Sequence, residues 1–327
     1  MLSVGICAWG QNARKARKGI IVVEDSVRGM RAMEPFKGTD TGYADVVNAY
    51  QKAFPEVRVY CMVIPNAVAI YCPDSLKDWT REEGPAIAAI EGGLVQDVKR
   101  VSILDTLLAH WEEPIYARTD HHWASLGAYY AAKVLAEVAE VPFRGLEDYE
   151  EHVLQDYVGS MWTFSRDPRV KAQPETFVWY EPKDTAYQVE QIRYHRKRTG
   201  RGRRVRTFLV ASAPEASSFF RHYEDGDAAA YCTFMGGDLN TTSIRTATRN
   251  GRRLLILKDS YGNALPAFLF GSFEEIHVVD CRYFLQGMRA FVREKGITDI
   301  LFANNLIHAT MAKICENYRN FLNDKGR

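Results

Sequence analysis

The chain has 327 residues and a mass of 37.2 kDa, with 46% hydrophobic and 25% charged residues. Those proportions exclude a disordered, collagen-like or small disulfide-stapled protein, and the length suits one large domain that buries its own core. Lys plus Arg is 42 against 41 for Asp plus Glu, a formal charge of +1, so there is no global field to gather nucleic acid or anionic lipid.

The opening MLSVGICAWGQNARKARKG puts its apolar stretch before its basic residues, the reverse of a secretory signal. No apolar run approaches the roughly 18 to 20 residues that a membrane helix needs. Neither an export signal nor a transmembrane segment is expected. Cys7, Cys61, Cys72, Cys232, Cys281 and Cys315 show no CxxC or zinc spacing and are expected as free, mostly buried thiols.

Short apolar or β-branched runs predict strands at 19–23, 57–64, 101–104, 207–210, 254–257, 276–279 and 300–302. Helical patterns lie between several of them, at 43–54, 123–138, 284–294 and 310–322. In the second of these, Leu126, Tyr130, Val134 and Val138 recur at i+4 spacing and predict its inward stripe. This alternation predicts an α/β fold with a mostly parallel central sheet and helices on both faces. Ligands bind such sheets at the carboxyl ends of strands. Those ends carry Asp259 and Ser260, then Asp280 and Arg282, then Asn304 and Asn305. Residues 141–206 have weak periodicity and read as an insertion in a single domain spanning 1–327. The basic run RYHRKRTGRGRRVR at 193–206 reads as a solvated loop.

The densest polar cluster is TDHHW, with Asp120, His121 and His122 at a strand-to-helix corner. Asp120 has two readings there: an N-cap of the following helix, or a carboxylate that reaches Nδ1–H of His122 and leaves Nε2 as a general base. A base needs a nucleophile, and the best candidate is Ser260 in LLILKDSYGN, directly after a strand and near a helix N-terminus. Here too the bland reading is a cap at Asp259 or Ser260. Asp120, His121 and His122 also form a possible ligand set for a metal-dependent phosphoesterase, yet Asp25 stands alone and Gly236, Gly237, Asp238 has no accompanying histidine. No metal and no cofactor is therefore expected, and no GxxxxGK[ST] or GxGxxG supports a nucleotide. His277 and His308 are assigned to packing or the surface.

TDHHW with GAYYA, KDSYGN, EIHVVDCRYF, DILFANN and YCTFMGGD together resemble the bacterial DHHW family, and within it the AlgX/AlgJ-type alginate O-acetylation proteins. The likeness covers 19–137 and 231–308, and none is placed over 141–206. It implies a three-layer α/β/α, SGNH-hydrolase-like domain with permuted motif order. It further implies a triad in which Ser260 is the nucleophile, His122 the base and Asp120 its orienting carboxylate. Arg282, Tyr283, Asn304, Asn305, His121 and Tyr261 become oxyanion or substrate-binding candidates, with Gly236 or Gly237 as a guess for the missing glycine block. The implied activity is O-acetyltransferase or acetylesterase on a cell-surface polysaccharide, with a membrane acetyl-donor protein as an implied partner and an envelope location. The rival readings are a non-catalytic carbohydrate-binding or assembly protein and the metal-dependent phosphoesterase.

Overall fold

The structure, a computed structural model, describes residues 13–25, 29–39, 42–200 and 206–323. Near its start, β1 (Ile21–Asp25) and β2 (Gly29–Met33) pair antiparallel, with Arg14–Lys15 added to β1. Helix α1 (Tyr43–Ala53) leads to β3 (Arg58–Ile64), and helix α2 (Ser125–Ala139) to a hairpin of β4 (Tyr149–Tyr157) and β5 (Glu175–Pro182). There follow β6 (Tyr187–Thr199), β7 (Arg206–Ala211), β8 (Asn240–Thr246), β9 (Arg253–Lys258) and β10 (Glu275–Asp280). Helix α3 (Met288–Lys295), β11 (Asp299–Asn305) and helix α4 (Ala312–Leu322) complete the chain.

The main sheet runs β6–β8–β10–β9–β11–β3 and ends on the short strand Lys99–Arg100; β7 and Glu215–Ser217 both pair with β6. From β10 to Lys99–Arg100 every pair is parallel, and from β10 out to β6 and its partners every pair is antiparallel. The parallel strands are apolar along nearly their whole length because both faces are covered. Phe302 and Asn304 on one face of β11 meet Tyr43 and Tyr50 of α1 and Tyr318 of α4. On the other face Asp299 binds Arg252, which donates to the carbonyl of Ala139 at the end of α2. Among the described residues, no helix is long and apolar enough to cross a membrane.

Several expectations need correction. The run at 101–104 is not a strand: pairing stops after Arg100, and Leu104–Ala109 is helical. The strand foreseen at 19–23 belongs to a separate three-stranded sheet. Residues 193–199 of the basic run are no loop but the far half of β6, with Arg193 paired to Asn240 of β8 and 194–199 paired with β7, and 201–205 lie outside the described residues. Charged side chains suit this edge because one face of an antiparallel ribbon stays wet. The stretch expected as one insertion therefore divides, with β4 and β5 forming their own hairpin and β6 joining the main sheet.

The inward face of α2 also differs. Gly127, Ala128, Ala131, Ala132, Leu135, Ala136 and Ala139 are buried, while Leu126, Tyr130, Val134 and Val138 are only half-buried. A Cβ on Gly127 would stand 2.4 Å from the carbonyl oxygen of Ile115, so the helix lies too close for large side chains on that face. Cys61, Cys72, Cys232, Cys281 and Cys315 are free thiols, and Cys7 lies outside the described residues.

Candidate active site

Parallel strands deliver their carboxyl ends to one edge of the sheet. There β9 ends at Lys258 and the chain turns through Asp259 into a short 3-10 turn, Ser260–Asn263, rather than the α-helix expected. Asp259 caps that turn, accepting from Tyr261 N at 2.9 Å. The turn is tight at Gly262, where a Cβ would come within 2.5 Å of the Lys258 Cβ. Ser260 thus heads the turn, and among the described residues nothing accepts a hydrogen bond from its N–H.

The segment carrying Asp120, His121 and His122 crosses the same edge, between the bridged residues Tyr116 and Trp123. Trp123 Nε1 donates to the carbonyl of Tyr261 at 2.9 Å and ties the segment to the Ser260 turn. His122 Nε2 lies 2.7 Å from Ser260 Oγ, and His122 Nδ1 lies 2.6 Å from Asp120 Oδ1. The second Asp120 oxygen accepts from Ser160 N at 2.8 Å. Gly159 is required beside it, since a Cβ there would meet the carboxylate at 2.5 Å. Asp120 does not cap α2, whose cap position is Ala124 with no side-chain bond. All three residues of the chain are buried, with Ser260 the most open at 7%. Burial favours a protonated Asp120, but the neighbouring His122 and His121 and the bonds it accepts outweigh that and hold its carboxyl well below the usual range.

Tyr231 lies flat on His122, with ring centroids 3.7 Å apart and planes within 6°, and its hydroxyl donates to the Ser260 carbonyl at 3.0 Å. Both faces of the imidazole are thereby defined, for His121 lies 3.7 Å away on a tilted ring. His121 Nδ1 meets Ser160 Oγ at 2.5 Å, and burial together with the adjacent His122 pushes its imidazole down to about 3. Ligand atoms of Asp120, His121 and His122 all lie within 4.8 Å of one another. Both ring nitrogens of His122 are nevertheless turned to protein partners, so a shared cation requires at least one of those bonds to break. Tyr261 donates to Asn66 Oδ1 at 3.1 Å and also to the His121 carbonyl. Asn66 in turn donates to the fully buried Glu83, whose carboxyl burial pushes up to about 7.

The remaining candidates are engaged with each other. Arg282 binds Asp280 in two-pronged fashion, at 2.9 and 2.7 Å, and Asp238 at 2.9 Å. Lys258 joins both acids. Burial opposes the charge on Asp238, yet Lys258 and Arg282 overcome it and hold its carboxyl well below the usual range. The guanidinium also lies over the ring of half-buried Tyr283. Asn304 accepts from the hydroxyls of Tyr43 and Tyr318, both at 2.7 Å, and Asn305 caps the short helix after β11 through His308 N. Asn304 Nδ2 faces Asp259 Oδ2 at 3.4 Å and Asn305 N donates to the same oxygen at 2.8 Å, so both asparagines tie the end of β11 to the residue before Ser260. Gly236 and Gly237 spend their N–H groups on the carbonyls of Cys232 and Phe234, so neither is an oxyanion donor; their positive φ shapes the turn before Asp238.

Sequence reasoning missed Ser160, Gly159, Tyr231, Asn66 and His308. His308, assigned to packing or the surface, sits 3.1 Å from Asp259. Two of them had a signal: Tyr231 as the first residue of the YCTFMGGD block, and Asn66 within VYCMVIPNAVAIYCPDSL, a further segment that resembles the family.

The residues at this edge invite comparison with known proteins. A family model described as DHHW protein matches residues 10–195. The crystal structure of a DHHW family protein from Eubacterium siraeum DSM 15702 is 34% identical, with a TM-score of 0.82, over 94% of this chain and 98% of that one. The chain belongs to the DHHW family. The matched span includes Asp120, His121 and His122, and it extends through 141–195, where sequence reading had placed no likeness. Bacillus cereus PatB1, solved with a sulfonyl adduct, is 16% identical over 90% of this chain and 97% of its own, with a TM-score of 0.67, and shares the fold. The O-acetyltransferase domain of Pseudomonas putida AlgJ is 12% identical over 96% of this chain and all of its own, with a TM-score of 0.45. A comparison with curated protein sequences gives no match.

Proposed function

We propose that the protein is a serine-dependent acyl-transfer enzyme of SGNH-hydrolase-like architecture, an O-acetyltransferase or acetylesterase acting on a cell-surface polysaccharide. The observation that carries this is the unbroken chain Ser260 Oγ–His122 Nε2 at 2.7 Å and His122 Nδ1–Asp120 Oδ1 at 2.6 Å. As Ser260 Oγ bonds to the acyl carbon, His122 Nε2 takes its proton and delivers it to the leaving oxygen as the ester C–O bond breaks. Water or a sugar hydroxyl then attacks the acyl-serine; His122 takes that proton and returns it to Oγ as the acyl group departs. Asp120 keeps Nδ1 protonated and stabilises the imidazolium. The unbonded Ser260 N–H is the first oxyanion donor, since it heads a turn next to Oγ. Asn263 of the same turn donates to Asp238, in an ion cluster with Asp280, Lys258 and Arg282, and Arg282 is the more exposed of its two cations and so the one assigned to substrate contact. The resemblance of TDHHW and KDSYGN to alginate O-acetylation proteins supports acetyl as the acyl group and a polysaccharide as the acceptor.

Intact-protein mass spectrometry after incubation with an activated acetyl ester tests this reading. One acetyl adduct on Ser260, absent in Ser260→Ala and His122→Ala, is the expected result. A sulfonyl fluoride supplies a second probe, given the sulfonyl adduct of PatB1, and is expected to label the same oxygen. Folded wild-type protein that forms no adduct and turns over no ester returns the chain to the carbohydrate-binding reading. Activity lost to a chelator and restored by manganese or zinc moves it to the phosphoesterase.

A further inference from the structure

A chamber of about 180 Å³ lies between β5 and the start of α2, and Ser260 does not line it. Its walls carry the rings of Tyr116, Trp123, Tyr157, Phe177, Tyr180 and Tyr231. The polar ends of these rings are already spent: Tyr116 donates to Pro65, Trp123 and Tyr231 to the Ser260 turn, Tyr157 to Asp120 and Tyr180 to Glu151. With those ends engaged, what these rings offer an occupant is aromatic carbon, whose faces attract a cation through the ring quadrupole.

The charges agree. Asp120, Glu151 and Glu175 line the space, and no lysine, arginine or histidine does; Asp120 is bonded to His122, and Glu175 to Thr119 and Arg118, so Glu151 is the carboxylate most open to a cation. Glu151 and Thr176 are exposed and form the mouth. At one side stands Ser125, 2% exposed, whose Oγ has no hydrogen-bond partner. It begins α2, a helix of 15 residues with no side-chain cap and no acid in its first turn, so its first N–H groups lack side-chain acceptors.

We propose that this chamber binds a small organic ammonium compound carrying an oxygen substituent, of the amino-alcohol class. The ammonium lies against the rings and carboxylates, and the oxygen meets Ser125 and the start of α2. Because Asp120 and Tyr231 belong both to the chamber and to the chain ending at Ser260, an occupant touches the orienting carboxylate and the ring that lies on His122.

Isothermal titration of the full chain with choline, and with its neutral isostere 3,3-dimethyl-1-butanol, tests this without reference to any catalytic activity. Choline is expected to bind about tenfold more tightly than the isostere, with a change in Trp123 fluorescence. Glu151→Gln is expected to weaken choline by about threefold and leave the isostere unchanged. Ser125→Ala is expected to weaken choline but not tetramethylammonium. Melting curves confirm that the variants are folded. Equal binding of the isostere, no saturable binding of choline, or choline binding indifferent to both substitutions overturns the proposal.

Discussion

The molecule holds a serine–histidine–carboxylate chain in each half of its main sheet, and the two are built differently. In the parallel half, Ser260, His122 and Asp120 meet at the carboxyl edge. In the antiparallel half, Ser243 Oγ lies 2.9 Å from His277 Nδ1, and His277 Nε2 lies 3.3 Å from Glu275 Oε2. That second chain lines a groove of about 710 Å³. Its members meet through strand geometry alone: Ser243 and His277 are direct partners across β8 and β10, while Glu275 and His277 are two residues apart and share a face. The Ser243 backbone is part of a ladder between two neighbours, leaving no amide to receive an oxyanion. Glu275 is also shared with Arg245 at 3.5 Å. Ser260 instead stands where a strand has ended, with its N–H unspent and its histidine held by Tyr231. Residue types in hydrogen-bond order can thus meet on a sheet face through strand geometry alone; a strand end supplies the donor that an oxyanion needs.

The largest effect is expected from Ser260→Ala, which should lower ester turnover by about three to six orders of magnitude. A loss under tenfold would erase the distinction between the two chains. Next comes Asp120→Asn, expected to cost about 10³- to 10⁴-fold in kcat by releasing the wrong tautomer of His122, whereas Glu275→Gln should leave turnover within twofold. Steady-state rates with one activated ester measure both.

The third effect concerns the supports of the Ser260 turn, which run through Tyr261 and Asn66 to Glu83. Burial raises the folded Glu83 carboxyl to about 7 from its ordinary 4.5. The neutral form is therefore favoured by folding, and its contribution is fully present below about pH 4.5 and lost as pH rises through 7. Relative to Glu83→Gln, the wild type is expected to lose about 3 kcal/mol of stability between pH 4.5 and 8. Urea denaturation across that range reads this directly, and a wild-type-to-variant difference that does not change with pH contradicts it. The smallest effect is expected from Ser243→Ala, with turnover within twofold and stability within about 1 kcal/mol, the worth of one hydrogen bond. A large loss of turnover would give the second chain a function.

Much of the site was legible because its first link is local. Asp120 and His122 are two residues apart, so the same DxH string that suggested the pair also forms it. The strands were legible where burial on both faces left uninterrupted apolar runs, as in β3, β9, β10 and β11. Periodicity failed at α2, because a spacing of large residues predicts contact only when the helix stands at ordinary distance, and here glycine and alanine bring it closer. Composition failed at 193–199, because charge tells solvent contact but not whether the backbone is paired. Arg282 and the two asparagines were correctly placed at strand ends, yet their partners come from other elements, and only those partners show which groups are already spent.

By itself the sequence determined which residues could act and on which strand ends they stand, since alternation, apolar runs and i,i+2 spacing are properties of the local chain. Closure of the 138-residue separation between His122 and Ser260, the Gly159 notch that admits the Asp120 carboxylate and the ring of Tyr231 on His122 were decided only by tertiary structure. Such contacts depend on how separate elements pack, and packing distances are not written in any single stretch of the chain.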